Sequence, residues 1–178
     1  MFAFLAFSSL AATDKPNFII IFIDDLGFGD IEPFGSVLND TPHLNRMAAE
    51  GMKLTSFYSA APVCTPSRAA LLTGSYPKRV GLDFGSWRGV VFPRDKEGLN
   101  PDEITIAEIL QEEGYATACF GKWHLGDQPE FLPTSQGFDT YFGIPYSNDM
   151  WPALRQFQCP DLPLLRDGKV VDLVKTMD

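Results

Sequence analysis

NFIIIFID, Asn17 to Asp24, is a continuous run of β-branched and aromatic residues. Such a run predicts a strand buried on both faces, which is typical of a parallel sheet covered by helices. Gly27 and Gly29 follow it and permit a tight loop. The stretch therefore predicts an α/β fold with a mostly parallel central sheet flanked by helices.

Local start and stop signals predict the other elements. Helices are expected where N-caps, prolines and glycines bracket amphipathic runs, namely after Thr41 up to Gly51, from Pro66 to Thr73, and from Ile104 to Gly114. Further strands are expected at 53–60 and 115–120, with a hairpin at Asp167-Gly168. Residues 75–103 are rich in Gly and Pro and predict a long surface loop, a length that is unusual without a function.

Composition limits the class of protein and its partners. The 178 residues suffice for one domain with a real core, and 45% of them are hydrophobic. The net charge of -9 argues against nucleic acid as the main partner, because phosphate binding needs a basic face. It leaves room for a small anionic substrate, since the local charge of a site can oppose the net charge.

The N-terminus and the cysteines bear on the compartment. Residues 1–13, MFAFLAFSSLAAT, resemble the apolar stretch of a signal peptide that ends in small residues, although no basic residue precedes them. We therefore expect export; an ordinary apolar terminus is the alternative. No later segment is long and apolar enough to span a membrane. Cys64, Cys119 and Cys159 form no CxxC pair, so a zinc knuckle is not expected.

Three unusual clusters follow predicted strands. Asp24 and Asp25 come after the first, Cys64 after the second, and the segment Lys122-Trp123-His124 after the third. Ligands of open α/β sheets bind beyond the carboxyl ends of the strands. We therefore expect the three clusters to converge on one site.

Asp24 and Asp25 are candidate metal ligands. Two neighbouring carboxylates repel each other unless a cation lies between them, and oxygen ligands suit Ca²⁺ or Mg²⁺. A polar loop in which Asp25 caps a turn is the alternative.

Cys64 lies at the predicted start of a helix, with Arg68 one turn further on. Free backbone N–H groups at that end favour an anion or an anionic nucleophile. Arg68, four residues later, lies on the same face and can approach the group at position 64. A thiolate nucleophile and a buried structural cysteine are both compatible with this pattern.

Four motifs in order resemble the formylglycine-dependent sulfatases of the alkaline phosphatase superfamily. They are KPNFIIIFIDDLGFGD at 15–30, VCTPSRAALLTG at 63–74, GYATACFGKWHLG at 114–126 and QGFDTYFGIPYSNDM at 136–150. The last is most similar to the arylsulfatase A and N-acetylgalactosamine-6-sulfatase branch. The resemblance extends from Lys15 to the C-terminus and implies that residues 14–178 are the N-terminal part of a sulfatase catalytic domain.

The resemblance implies that a separate enzyme, which reads Cys64, Pro66 and Arg68, oxidises Cys64 to formylglycine. One hydroxyl of the hydrated aldehyde attacks the sulfur of a sulfate ester and the alcohol leaves; the second hydroxyl is then deprotonated and sulfate is expelled. Asp24, Asp25 and residue 64 are implied ligands of Ca²⁺, with Mg²⁺ possible, and the cation lowers the pKa of the diol.

The resemblance gives four further residues a role. Arg68 holds the diol through charge-assisted hydrogen bonds. Lys122 stabilises the charge on the sulfate, and His124 is the general base. Ser147 matches a sulfate-contacting position, with an ordinary loop serine as the alternative. Lys122 and His124 are expected to face the same way, and Trp123 to point into the core.

The family's domain is much longer than this chain, and its remaining metal ligands and leaving-group acid have no counterpart here. We therefore expect an inactive, poorly stable fragment. The implied substrate is a sulfate ester of a sugar, lipid or aryl alcohol, and the implied location is periplasmic, secreted or lysosomal. A related phosphoryl or phosphonate ester hydrolase and a non-catalytic sulfoglycan-binding relative are the alternative functions.

Overall fold

The computed structural model of the protein describes residues 15–84, 89–150, 152 and 159–174. The chain divides into two compact units, Met1–Thr55 and Ser56–Asp178. The predicted signal segment at 1–13 lies outside the described residues. None of the helices in the described part of the chain has the length and apolar character needed to cross a bilayer.

The first unit contains helix α1, Pro42–Glu50, and two short 3₁₀ turns, Phe28–Asp30 and Glu32–Phe34. Helix α1 begins after Thr41 and ends before Gly51, as predicted. Pro42 suits the first helical position, where its missing N–H has no intrahelical partner to lose. The Thr41 hydroxyl, however, accepts a hydrogen bond from the backbone N–H of Glu32 at 3.0 Å, and does not cap the helix.

The strands predicted at 17–24 and 53–60 are wrong for this structure. Residues 17–23 have no regular secondary structure, 24–25 form a turn, and 53–60 consist of turns and irregular chain. A buried strand is held by hydrogen bonds to neighbouring strands, and no strand is present in residues 15–60, all of which the structure describes. The apolar side chains are correspondingly exposed; Ile19, for example, is 86% exposed.

The second unit has two helices, α2, Cys64–Thr73, and α3, Ile106–Glu112. Helix α2 begins two residues before the predicted start, because a proline such as Pro66 is tolerated anywhere in the first turn, where the N–H groups have no intrahelical acceptor. It ends at Gly74, which has φ 63° and donates its N–H to the carbonyl of Ala70.

The sheet of the second unit has four strands in the order β1-β2-β3-β4. They are β1, Ala118–Lys122, β2, Thr140–Ile144, β3, Leu162–Arg166, and β4, Lys169–Val174. Strands β1 and β2 are parallel, whereas the β2–β3 and β3–β4 pairs are antiparallel. The α/β class and the hairpin at Asp167-Gly168 are confirmed, and the sheet within the described residues is mixed.

One apolar cluster links helix α2, the loop after it and the sheet. Trp123 is central to it, being 3% exposed and packed edge-on against Phe138 with ring centroids 6.1 Å apart. The buried members of this cluster are Ala69, Val80, Leu82, Val91, Leu99, Trp123, Leu125, Leu132, Tyr141 and Leu165. The prediction that Trp123 points into the core is confirmed, and the cluster fixes α2 relative to β1.

Candidate functional site

The end of strand β1 carries the first two predicted site residues. Lys122 is the last residue of β1, and its Nζ donates a hydrogen bond to Ser147 Oγ at 3.1 Å. Trp123 continues the strand direction and donates its backbone N–H to the carbonyl of Ile144 at 2.9 Å. The structure therefore brings together the two residues that the sequence assigned to sulfate, Lys122 and Ser147.

Helix α2 is tied to this strand end by two hydrogen bonds. The guanidinium of Arg68 donates from Nη1 to the backbone carbonyl of Lys122. The hydroxyl of Thr65 donates to the backbone carbonyl of His124 at 2.9 Å. Cys64, the first residue of α2, is half-buried and its thiol is free. The start of α2 and the end of β1 are thus joined by the hydrogen bonds of Thr65 and Arg68, and we call this contact the α2–β1 joint.

His124 lies immediately after this joint and is completely buried. Its ring Nε2 is 3.0 Å from the backbone carbonyl of Val91, in the long loop that follows α2. Its own backbone is in the left-handed region, with φ 61°, and its N–H donates to the carbonyl of Pro145 at 3.0 Å. The imidazole is therefore held between the loop and the strand end.

The charge of Arg68 extends into the core beneath the site. Burial raises the pKa of the Cys119 thiol from 9.0 to about 11, and the positive charge of Arg68 opposes this rise. Burial also raises the pKa of the Tyr141 hydroxyl; the neighbouring Cys119 adds to this effect and Arg68 again opposes it. Both groups therefore stay protonated near neutral pH, and neither adds a negative charge beneath the strand end.

The predicted metal ligands Asp24 and Asp25 lie in the first unit, in the turn that follows residues 17–23. Asp24 is half-exposed, and Asp25 is exposed with φ 55°. Over the residues that the structure describes, no three His, Cys, Asp or Glu side chains are grouped so that they could hold a metal ion. The described side chains therefore do not complete a cation site, and the ligand set Asp24, Asp25 and Cys64 stays a prediction.

Two groups that contact the site escaped the sequence analysis. Thr65 lies inside the motif at 63–74 but received no role, because a threonine hydroxyl does not by itself indicate which distant groups it bonds. The Val91 carbonyl is a backbone atom in an irregular loop, and no residue type signals it. Only the folded structure shows that both reach His124.

The protein has an α/β fold. Arg68, Lys122 and His124 lie where the start of helix α2 meets the end of strand β1. A profile of the sulfatase family matches residues 16–175. The chain belongs to the sulfatase family. This result confirms the family resemblance of the four motifs.

Several known proteins are similar to this chain. It is 49% identical to arylsulfatase A of Bos taurus over 148 residues, and 43% identical to N-acetylgalactosamine-6-sulfatase of Sus scrofa over 163 residues. These alignments cover 82% and 90% of this chain but 28% and 31% of the relatives. The chain thus spans less than a third of the length of these curated relatives.

A solved structure from a study of the metabolism of multiple glycosaminoglycans by Bacteroides thetaiotaomicron has a similar fold. It superimposes with a TM-score of 0.73 at 35% identity, over 89% of this chain and 32% of that chain. The α/β architecture described above is therefore part of a larger sulfatase fold.

Proposed function

We propose that the full-length protein containing this chain is a sulfuric ester hydrolase that acts through a formylglycine at position 64. The observation that carries the proposal is the joint between the start of α2 and the end of β1. There Arg68 is bonded to the Lys122 backbone, and the Lys122 ammonium to Ser147. Two cationic side chains and a hydroxyl at the end of β1 suit an anionic group such as sulfate.

The nucleophile of this proposal derives from Cys64. A modifying enzyme replaces the Cβ–S bond by a C=O bond; water supplies the oxygen, sulfide leaves, and two electrons pass to that enzyme's oxidant. Cys64 is half-buried at the first residue of α2. Hydration of the aldehyde gives two hydroxyls on one carbon, one to attack and one to collapse.

The reaction then proceeds in two steps. One hydroxyl attacks the ester sulfur, the S–O bond to the alcohol breaks, and the sulfate becomes attached to residue 64. His124 takes the proton of the second hydroxyl, the bond from Cβ to the sulfate oxygen breaks, and the aldehyde re-forms. Lys122 and Ser147 hold the sulfate oxygens and Arg68 holds the diol. We assign no residue of this chain to protonation of the leaving alcohol.

The cation of the proposal is Ca²⁺, with Mg²⁺ as the second choice. Asp24 and Asp25 are this chain's share of its ligands, together with the oxygen at position 64. Two carboxylates supply at most four oxygens, fewer than the roughly six to eight that Ca²⁺ takes. We therefore derive no step through the metal from the residues in hand.

The family membership and the names of the relatives support a sulfate ester of a sugar, a lipid or an aryl alcohol as the substrate class. The apolar residues 1–13 support export to a periplasmic, secreted or lysosomal compartment. The modifying enzyme that converts Cys64 is the protein partner of the proposal.

The test is hydrolysis of an aryl sulfate by the full-length protein, produced together with a formylglycine-generating enzyme. Lys122→Ala should lower kcat/KM by about 10²- to 10³-fold, because it removes a preorganised cation from the transition state. Lys169→Ala, an exposed lysine at the start of β4, is the matched control and should have no effect.

The alternatives predict different results in the same assay. A phosphoryl or phosphonate ester hydrolase would cleave an aryl phosphate or phosphonate faster than the aryl sulfate. A non-catalytic sulfoglycan-binding relative would cleave neither ester, and its residue 64 would remain a thiol. Either result would contradict the proposal.

A further inference from the structure

The Thr65 hydroxyl lies at a crossing of three chain segments. Thr65 is completely buried in the first turn of α2. Its Oγ1 accepts a hydrogen bond from the backbone N–H of Val91 at 3.2 Å and donates one to the backbone carbonyl of His124 at 2.9 Å. One side chain therefore joins helix α2, the long loop and the residue that follows the strand end.

The backbone of Val91 contacts both Thr65 and His124. Its N–H bonds to Thr65, while its carbonyl oxygen lies 3.0 Å from His124 Nε2. A carbonyl oxygen can only accept, so the proton of a neutral imidazole lies on Nε2. Nδ1 is then the ring nitrogen that can accept a proton.

The backbone of His124 is fixed by the same network. Its φ of 61° is unusual for a residue with a side chain, and its N–H and C=O are bonded to Pro145 and Thr65 respectively. Loss of the Thr65 hydroxyl removes the partner of the His124 carbonyl and of the Val91 N–H together. Both effects would loosen the imidazole without removing any group that touches substrate.

We propose that Thr65 is a positioning residue for His124, and that Thr65 and the Val91 peptide together hold the imidazole as the Nε2–H tautomer with Nδ1 as its proton acceptor. The base role of His124 rests on the proposed function; the tautomer and its dependence on Thr65 rest on the hydrogen bonds alone. The loop at 75–103 thereby contributes to the site through the Val91 carbonyl, which binds the imidazole of His124.

The direct test is ¹⁵N NMR of the full-length protein labelled with ¹⁵N-histidine, with the His124 signals identified by their loss in His124→Gln. Spectra are taken about two pH units above the ordinary histidine pKa of about 6.5, where the neutral ring dominates. We expect the proton on Nε2. A proton on Nδ1 in the unaltered protein would overturn the proposal, whatever the activity.

The kinetic test compares Thr65→Val, which keeps the shape and loses the hydroxyl, with Thr65→Ser, which keeps the hydroxyl. Activity is divided by the fraction of residue 64 in the aldehyde form, because Thr65 adjoins the modified position. We expect kcat for an aryl sulfate to fall about 10- to 100-fold in Thr65→Val with KM little changed, since a displaced catalytic group costs rate more than binding. Thr65→Ser should keep most of kcat.

Thr73→Val is the matched control, because Thr73 lies at the other end of α2 and its hydroxyl donates within the helix, to the Ala69 carbonyl at 2.8 Å, and not to the carbonyl of His124. Its kcat should be unchanged. An unchanged kcat in Thr65→Val would overturn the proposal. A fully modified protein that shows the Nε2–H tautomer but hydrolyses no sulfate ester would contradict the proposed function while supporting the tautomer assigned to His124.

Discussion

Arg68 and Lys122 illustrate at the scale of single residues how this site concentrates positive charge in an acidic protein. The net charge is -9, yet the guanidinium of Arg68 lies against the Lys122 backbone and the Lys122 ammonium lies against Ser147. The acceptors in these two contacts are a backbone carbonyl and a hydroxyl. The proposed function assigns a sulfate to these two side chains, because the local charge of a site can oppose the net charge of the protein.

Cys119 provides a residue-scale prediction about pH. Burial raises its pKa from 9.0 to about 11, so below pH 9.0 its thiolate fraction is about a hundredfold lower than that of an unburied cysteine. We expect Cys119 in the folded protein to be alkylated correspondingly slowly near pH 8, as followed by mass spectrometry. Alkylation as fast as in the unfolded chain would contradict this prediction.

The same shift sets the direction of a stability change. A pKa that is higher in the folded state contributes stability that is fully present below pH 9.0 and is lost as the pH rises through about 11. The urea concentration at the unfolding midpoint should therefore decrease as the pH rises from 9.0 to about 11. The decrease should be smaller in Cys119→Ala, which has no thiol to titrate.

The sequence singled out the residues of the candidate site, but it did not predict most of their contacts. The motifs name Arg68, Lys122 and Ser147, and the structure joins Lys122 to each of the other two. The bonds of His124 to Thr65 and Val91 could not be predicted, because two of the four atoms concerned belong to the backbone, which every residue shares.

At the scale of elements, the three predicted helices form, although α3 begins at Ile106 and not at the predicted Ile104. Of the predicted strands, only the one expected at 115–120 and the hairpin at Asp167-Gly168 form, the former at Ala118–Lys122. The α3 start illustrates why: the Thr105 hydroxyl accepts from the Glu108 N–H at 3.2 Å, and the Glu108 carboxylate accepts from the Thr105 N–H at 2.7 Å. Such a capping box lies within four residues and is visible in the sequence. A strand depends on partners far along the chain, which is why 17–24 and 53–60 were predicted wrongly.

Gly143 carries an element-scale prediction about the β1–β2 pair. Gly143 is in register with Gly121, and a Cβ at position 143 would lie 1.8 Å from the Gly121 carbonyl oxygen. Gly143→Ala should therefore separate the two strands and destabilise the folded protein by roughly 1–3 kcal/mol, the usual range for overpacking. Urea unfolding of the full-length protein measures this.

The matched control for that substitution is Gly29→Ala. A Cβ at Gly29 has no neighbour within 4 Å, and Gly29 is not among the glycines with positive φ. Its urea midpoint should match that of the unaltered protein. Equal midpoints for Gly143→Ala and the unaltered protein would show that β1 and β2 are not packed as described.

At the scale of the whole molecule, the chain is less than a third of its curated relatives in length. Its exposed apolar run at 18–23 includes Ile19 and Ile21, which are 86% and 72% exposed. Apolar area left in water forgoes about 25 cal/mol per Å² of stabilisation. The sequence predicted the α/β class, but its prediction that this run forms a buried strand is wrong for the described residues.

We therefore expect residues 1–178, produced alone, to be inactive and less stable than the full-length protein. The chain offers Asp24 and Asp25 but no complete cation site within its described residues. The measurements are aryl sulfate turnover and thermal unfolding of the two proteins side by side. Turnover by residues 1–178 alone would refute this expectation and would mean that the residues in hand suffice for catalysis.

The central claim is that residue 64 becomes an aldehyde that performs the chemistry. The most direct measurement is mass spectrometry of the peptide carrying position 64, from full-length protein produced with and without a formylglycine-generating enzyme. We predict that the peptide is found as the aldehyde when that enzyme is present, and that sulfatase activity rises in proportion to the aldehyde fraction. A thiol that persists at Cys64 in protein that hydrolyses sulfate esters would contradict the account.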